Sequence, residues 1–248
     1  MTIPLDTLTI PDHIHGYPEL AFGGYVAGML AARSAAPTVR VDFRRAVGIA
    51  TPVLLAAEDG HARLTAPDGT LLVEAAPAVL DIDVPPAPSW AEAKTATETA
   101  LSSPHRKVSD CYGCGVACAP GRGVRLFAWA VPERRVLTAA WTPDPGLAAE
   151  NGELTTESVW SALDCPGGLA AWIYSGMAPG AFTAALTATQ FQPIHAGAEY
   201  ISHAWPISGE GRKHTVGVAL STPEGELCAV AEALWIEPRN AQPDASWT

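Results

Sequence analysis

The stretch 159–172, VWSALDCPGGLAAW, sets one carboxylate, Asp164, into an otherwise apolar segment and follows it at once with Cys165, Pro166 and two glycines. A carboxylate held this way can act as a general base or attack directly as a nucleophile. It can equally be a helix N-cap, with Pro166 in the first turn of the helix that follows. The apolar period of SVWSAL predicts a helix around 157–174 that carries Asp164 inside it. Pro166 would then cost about 3 kcal/mol and bend the helix. Gly23 and Gly24 open a second apolar segment, GGYVAGMLAARSA. A helix starting there presents unpaired backbone N–H groups, although paired glycines also serve close packing. HRKVSDCYGCGVAC gathers His105, Cys111, Cys114 and Cys118, enough for four zinc ligands. The second knuckle of common zinc modules is missing. The expectation is therefore reduced thiols and no metal, in a Gly-rich loop leading into GVRLFAWAV. Arg212 and Lys213 form a basic hairpin turn in GEGRKH.

The elements that must position these residues have to come from 248 residues, enough for one large domain or two of about 100–120 residues. The composition, 48% apolar and 17% charged, is that of a globular protein with a sizeable core. A net charge of −11 argues against sequence-independent nucleic-acid binding, which depends on neutralising phosphates. No apolar run is long enough for a membrane span, and the start MTIPLDTLTIPD is not a secretory signal. The cytoplasm is the expected compartment. Five cysteines, an odd number, point to free thiols rather than a disulfide framework.

Residues 85–105 read as a linker: Pro-rich VPPAPSW, a capping box from Ser89 to Glu92, and a short exposed helix of about 10–12 residues. The segments on either side share one pattern. In the first, GGYVAGMLAARSA precedes TVRVDFRRAV, PVLLAAE, HARLTA and TLLVEAAPAVLDI. In the second, the helix around 157–174 precedes TAALTATQFQPI, EYISHAWPIS, KHTVGVALS and ELCAVAEALWIEP. Pro67-Asp68-Gly69 and Pro223-Glu224-Gly225 mark the turn before each last strand. This is an internal duplication of strand, helix and antiparallel strands. The expected fold class is α+β: each unit buries its helix by curling a sheet around it, and the two pair edge to edge.

With FGGYVAG at 22–28, VWSALD at 159–164 and ATQFQPIHAGAEY at 188–200, the chain resembles a double-hotdog member of the acyl-CoA thioesterase superfamily over nearly its whole length. The resemblance implies two tandem hotdog units paired as an intramolecular pseudo-dimer. The N-terminal hotdog would span 1–84, the C-terminal one, carrying the acid, 106–240, and a tail 241–248. Small thioesterases of this kind open the helix with His-Gly-Gly and place a catalytic Asp eight residues after the His. Thr156-Glu157-Ser158 occupies that triplet in the second half and puts Asp164 on the acid. Phe22-Gly23-Gly24 occupies it in the first half and puts Leu30 there. Each half thus keeps a different part of the machinery. One composite site is complete and its twin is empty of acid.

The implied reaction is thioester hydrolysis on an acyl-CoA-type substrate, with CoA entering only as part of that substrate and no cofactor. By the same resemblance Asp164 supplies the base, and Gly23 and Gly24 the oxyanion donors. His15 is a second donor, and Thr183 orients the water or acid. Arg212 and Lys213 meet the CoA phosphates. One or two of Trp160, Trp172, Trp205 and Trp235 line an acyl pocket. A homodimer of double hotdogs is compatible with the resemblance; nucleic-acid and membrane partners are not expected. Hydratases of the same fold carry a His five residues after their Asp, and here that place is Leu169. The rival reading is a non-catalytic acyl-CoA or lipid binder, because Phe22 and Thr156-Glu157-Ser158 depart from the family triplet.

Overall fold

The computed structural model describes residues 5–104 and 110–239. His105, offered above as a metal ligand, and the tail lie outside the described residues. The first half contains β1 (Leu5–Thr9), β2 (His15–Tyr17), β3 (Leu20–Ala21), α1 (Gly23–Ala31), β4 (Thr38–Phe43), β5 (Pro52–Glu58), β6 (His61–Thr65) and β7 (Leu71–Pro77). A connector carries α2 (Trp90–Ser102). The second half contains β8 (Trp129–Ala130), β9 (Leu137–Trp141), α3 (Thr156–Ala162), α4 (Cys165–Ser175), β10 (Phe182–Gln190), β11 (Tyr200–Glu210), β12 (Lys213–Ser221) and β13 (Leu227–Ile236).

Eleven strands form one antiparallel sheet in the order β1-β5-β6-β7-β4-β10-β13-β12-β11-β9-β8. From the outer edge inward the first half runs β1-β5-β6-β7-β4. The second runs β9-β11-β12-β13-β10, with β8 added outside. These are the same order under the duplication, so two identical topologies meet where β4 pairs with β10 from Ala185↔Asp42 to Thr189↔Thr38. That seam removes two exposed edges. The duplicated turns agree in detail. Gly69 and Gly225 both have positive φ, 85° and 94°. Each donates its N–H three residues back, to Ala66 and Thr222 respectively. Only glycine takes up that backbone readily.

α1 packs on β4, β6, β7 and β10, α4 on β9, β11, β12 and β13, and α1 crosses α3 at glycines. A Cβ on Gly28 would stand 2.5 Å from the Glu157 Cα, and one on Gly24 would stand 2.8 Å from the Ser161 Cα. Gly24 and Gly28, four residues apart, share one face of α1 and let α3 lie directly on it. Leu30, Leu163, Leu186 and Ile194 are fully buried around the crossing.

Two expectations are corrected. The helix around 157–174 is not continuous: α3 stops at Ala162 and α4 starts at Cys165. Pro166 therefore falls in a first turn, where its missing N–H costs nothing. Gly167 and Gly168 thin α4 on its sheet side, where added Cβ atoms would meet the Val216 Cγ2 at 2.8 Å and the Trp235 ring at 2.7 Å. The helix at 90–102 has the predicted capping box, with Ser89 N–H donating to the Glu92 Oε2 at 2.7 Å and Glu92 N–H to the Ser89 Oγ at 3.3 Å. It is not simply exposed, because it buries Ala93, Ala96 and Ala100. Its Thr97 Oγ1 accepts from Ala140 N–H at 3.0 Å, which docks it on β9.

The connector is anchored on the outer face of the second half, where Leu80, Ile82 and Val84 pack on Trp205 and Val230. Buried His203 stacks on Trp205 and contacts the Pro85 carbonyl through Nε2 at 3.2 Å. Burial pushes its pKa down to about 4. The unfolded chain, with an ordinary His value of about 6.5, therefore takes up the proton first. Stability is fully present above that value and is lost as pH falls toward 4. Urea unfolding at pH 7 and 4.5 is expected to show His203→Gln losing roughly 2 kcal/mol less than wild type between the two. Equal losses would place the acid sensitivity elsewhere.

Candidate active site

Asp164 sits in the break between α3 and α4, at the N-cap position of α4, yet makes no side-chain cap there. Its carboxylate instead reaches across to the first half. The Gly24 N–H donates to Oδ2 at 2.7 Å, and the Thr183 hydroxyl, on β10, donates to Oδ1 at 2.7 Å. Asp164 is 1% exposed. Burial pushes its pKa up to about 6, against the two hydrogen bonds, which favour the ionised form.

The start of α1 explains why this partnership is open. Its N-cap is Phe22, which offers no side-chain acceptor, so the first-turn amides need partners from elsewhere. The matching end of α3 is closed: the Thr155 side chain accepts from Ser158 N–H, and the Ser158 hydroxyl donates to the Leu147 carbonyl. Leu30, which the duplication matches to Asp164, is fully buried. Of the two related positions, one pairs an uncapped helix start with an acid. The other pairs a self-capped start with a leucine.

A cavity of about 600 Å³ opens beside Asp164. Its wall takes Tyr17, Phe22 and Gly23 from the first half and Asp164, Thr183 and Trp235 from the second. The wall is mostly apolar, and Trp172 joins Trp235 in it, while Trp160 and Trp205 are buried in the packing. The Tyr17 hydroxyl donates to the Ala181 carbonyl at 2.7 Å, tying the two halves at this wall. A Cβ on Gly23 would stand 3.1 Å from the Asp164 Oδ2 and 3.3 Å from the Thr183 Oγ1. The absence of a side chain thus leaves the acid, the hydroxyl and the Gly23 backbone facing one space.

The structure brings Asp164, Gly23, Gly24 and Thr183 together, with one difference from the arrangement that the resemblance implies. The Gly24 amide does not face Asp164 across the width of a thioester; it is bonded to it. Gly24 therefore holds the acid, and of the two glycines it is Gly23 that lines the cavity. His15 does not join the group. Its Nδ1 contacts the Asp12 carbonyl at 2.8 Å, and its Nε2 lies 3.4 Å from the Asp110 Oδ2, outside the cavity wall. Arg212 and Lys213 lie at the β11–β12 hairpin. Arg212 donates to the carbonyl of Glu237, a residue of the cavity wall. Arg44 and Arg45, which the sequence reading did not single out, line the cavity directly. Their only signal in the sequence is a pair of arginines ending a β-branched strand.

Three thiols complete this wall. Cys111, Cys114 and Cys165 line the cavity, and their Sγ atoms all lie within 4.8 Å of one another. Cys118 is turned away, its thiol donating to the Asp110 and Cys111 carbonyls at 3.4 Å. Hydrogen bonding to Cys114, with burial, pushes the Cys111 thiol up to about 12, and its neighbours push Cys165 well above the ordinary thiol range. Neither thiol is primed as a nucleophile.

The chain has the double-hotdog fold. It is similar to the tesB protein of Mycobacterium avium subs paratuberculosis, at 16% identity and TM-score 0.57, covering 90% of this chain and 91% of that one. It is also similar to acyl-CoA thioesterase II TesB2 of Mycobacterium marinum, at 12% identity and TM-score 0.60, covering 95% and 94%. A conserved protein of unknown function with hot dog fold from Alicyclobacillus acidocaldarius matches at 13% and 0.61, covering 94% of each chain. No family model and no curated protein matches the sequence. No helix among the described residues is long and apolar enough to cross a membrane.

Proposed function

We propose that the protein hydrolyses thioesters of the acyl-CoA type at the cavity between its halves. The observation that carries this reading is one buried carboxylate, Asp164, held by a helix-start amide of the other half and by Thr183, at the wall of an apolar cavity. Asp164 takes a proton from water, which attacks the thioester carbon. The Gly23 N–H, with the α1 dipole behind it, holds the developing oxyanion, an interaction of about 2.7–4 kcal/mol in comparable sites. The acyl group occupies the apolar wall near Trp172 and Trp235. Arg45, and Arg44 paired with Glu74, put positive charge at the cavity wall for the anionic leaving group, with Arg212 and Lys213 at the β11–β12 hairpin as further cations; the leaving group departs as a thiolate and is protonated. That the thioesterases above share the fold supports the reaction class; the mostly apolar wall suits an acyl group, and the CoA part of the substrate is carried over from the family resemblance.

A non-catalytic acyl-CoA binder is favoured by one observation: the Gly24 amide, a natural oxyanion donor, is already occupied by Asp164. Thr183 tests the hydrolytic reading. Thr183→Val removes the donor to Asp164 Oδ1 and is expected to lower kcat about 10-fold with little change in KM, whereas Thr183→Ser restores it. A change confined to KM, or no rescue by serine, would remove Thr183 as a positioning residue.

A further inference from the structure

We propose that Cys111, Cys114 and Cys165 form a zinc site in the cavity wall, with three thiolate ligands and a fourth position facing the cavity. This reverses the expectation from sequence alone, which grouped Cys111 and Cys114 with Cys118 and His105 and weighed against a metal. The fold replaces Cys118 by Cys165, a residue more than fifty positions away in the chain. The inference is independent of the hydrolytic reading.

The local backbone is built for the cluster. In the turn Cys111-Tyr112-Gly113-Cys114-Gly115 the Gly115 N–H donates to the Cys111 carbonyl at 2.7 Å. A Cβ on Gly115 would stand 2.6 Å from the Cys111 backbone. A Cβ on Gly113 would stand 2.7 Å from the Cys165 Sγ. Both glycines are therefore needed for the turn to close and for Cys165 to sit beneath it. Cys165 is the first residue of α4, so the helix start fixes where its thiol stands.

The distances suit a metal. Zinc binds sulfur at about 2.3 Å in a tetrahedron, which puts neighbouring sulfurs about 3.8 Å apart. Cys111 and Cys165 are 3.7 Å apart. Binding would replace three thiol protons by Zn²⁺, releasing those protons and leaving a site of net charge −1. Three protein ligands with an open fourth position is the arrangement of zinc sites that admit a small ligand. All three thiols share the cavity wall with Asp164.

The full-length chain, purified with reductant, is tested with Zn²⁺ against a competing chromophoric chelator and with Co²⁺ as a spectroscopic probe. The expected result is about one zinc retained per chain and a thiolate-to-cobalt charge-transfer band. Cys114→Ser and Cys165→Ser should each weaken zinc binding by about 10²-fold or more, and Cys118→Ser should leave it unchanged. The cobalt spectrum of the wild type stands even if a variant fails to fold. Failure to retain zinc against the chelator would overturn the site, as would equal loss in Cys118→Ser or a disulfide among the three thiols in reductant-treated protein.

Discussion

Asp164→Asn is expected to lower turnover by about 10²-fold or more while leaving ligand affinity within a few-fold. The asparagine Oδ1 can accept from Gly24 N–H, and its Nδ2 can donate to the Thr183 hydroxyl, so shape and both partners survive. What is lost is the ability to take a proton. Steady-state kcat and an independent binding constant for a non-hydrolysable thioester analogue separate the two effects. Unchanged kcat would take Asp164 out of the chemistry. Loss of binding would recast it as a structural residue.

Gly28→Ala is expected to destabilise the fold by about 3 kcal/mol. In an ordinary helix interior this change stabilises, by roughly 0.5–1 kcal/mol. The sign reverses because the new Cβ would lie 2.5 Å from the Glu157 Cα and 2.8 Å from the Thr156 carbonyl oxygen. Both are backbone atoms of α3, so no side chain can swing aside and the helices must part. The same separation would draw Gly24 away from Asp164. Urea denaturation should show a lower midpoint with an unchanged slope. A stabilised Gly28→Ala protein would contradict the glycine-mediated crossing.

The duplication was the legible part of this fold. Its evidence is local: the order of apolar helix and β-branched strands, and the turns at Gly69 and Gly225, which the structure closes with the same hydrogen bonds. The break at Asp164 was harder to see, because SVWSAL keeps helical period right up to the carboxylate. Only the approach of Gly24 decides that Asp164 turns across to α1 instead of capping α4. The facing of Gly24 and Asp164 was implied by the family resemblance, but the directness of their contact was not. A spacing along the chain cannot say whether two groups touch or leave room for a substrate. Cys165 and Arg45 were missed for a related reason. Their neighbours at the cavity come from other segments, and no periodicity connects them.

The cavity either breaks thioesters or merely holds them. The most direct measurement is release of free thiol from a panel of acyl-CoAs by the wild-type protein. Many equivalents of thiol per chain are expected, released about 10²-fold or more slowly by Asp164→Asn. Binding of acyl-CoA in the cavity with no more than stoichiometric thiol release across the panel would contradict the hydrolytic reading.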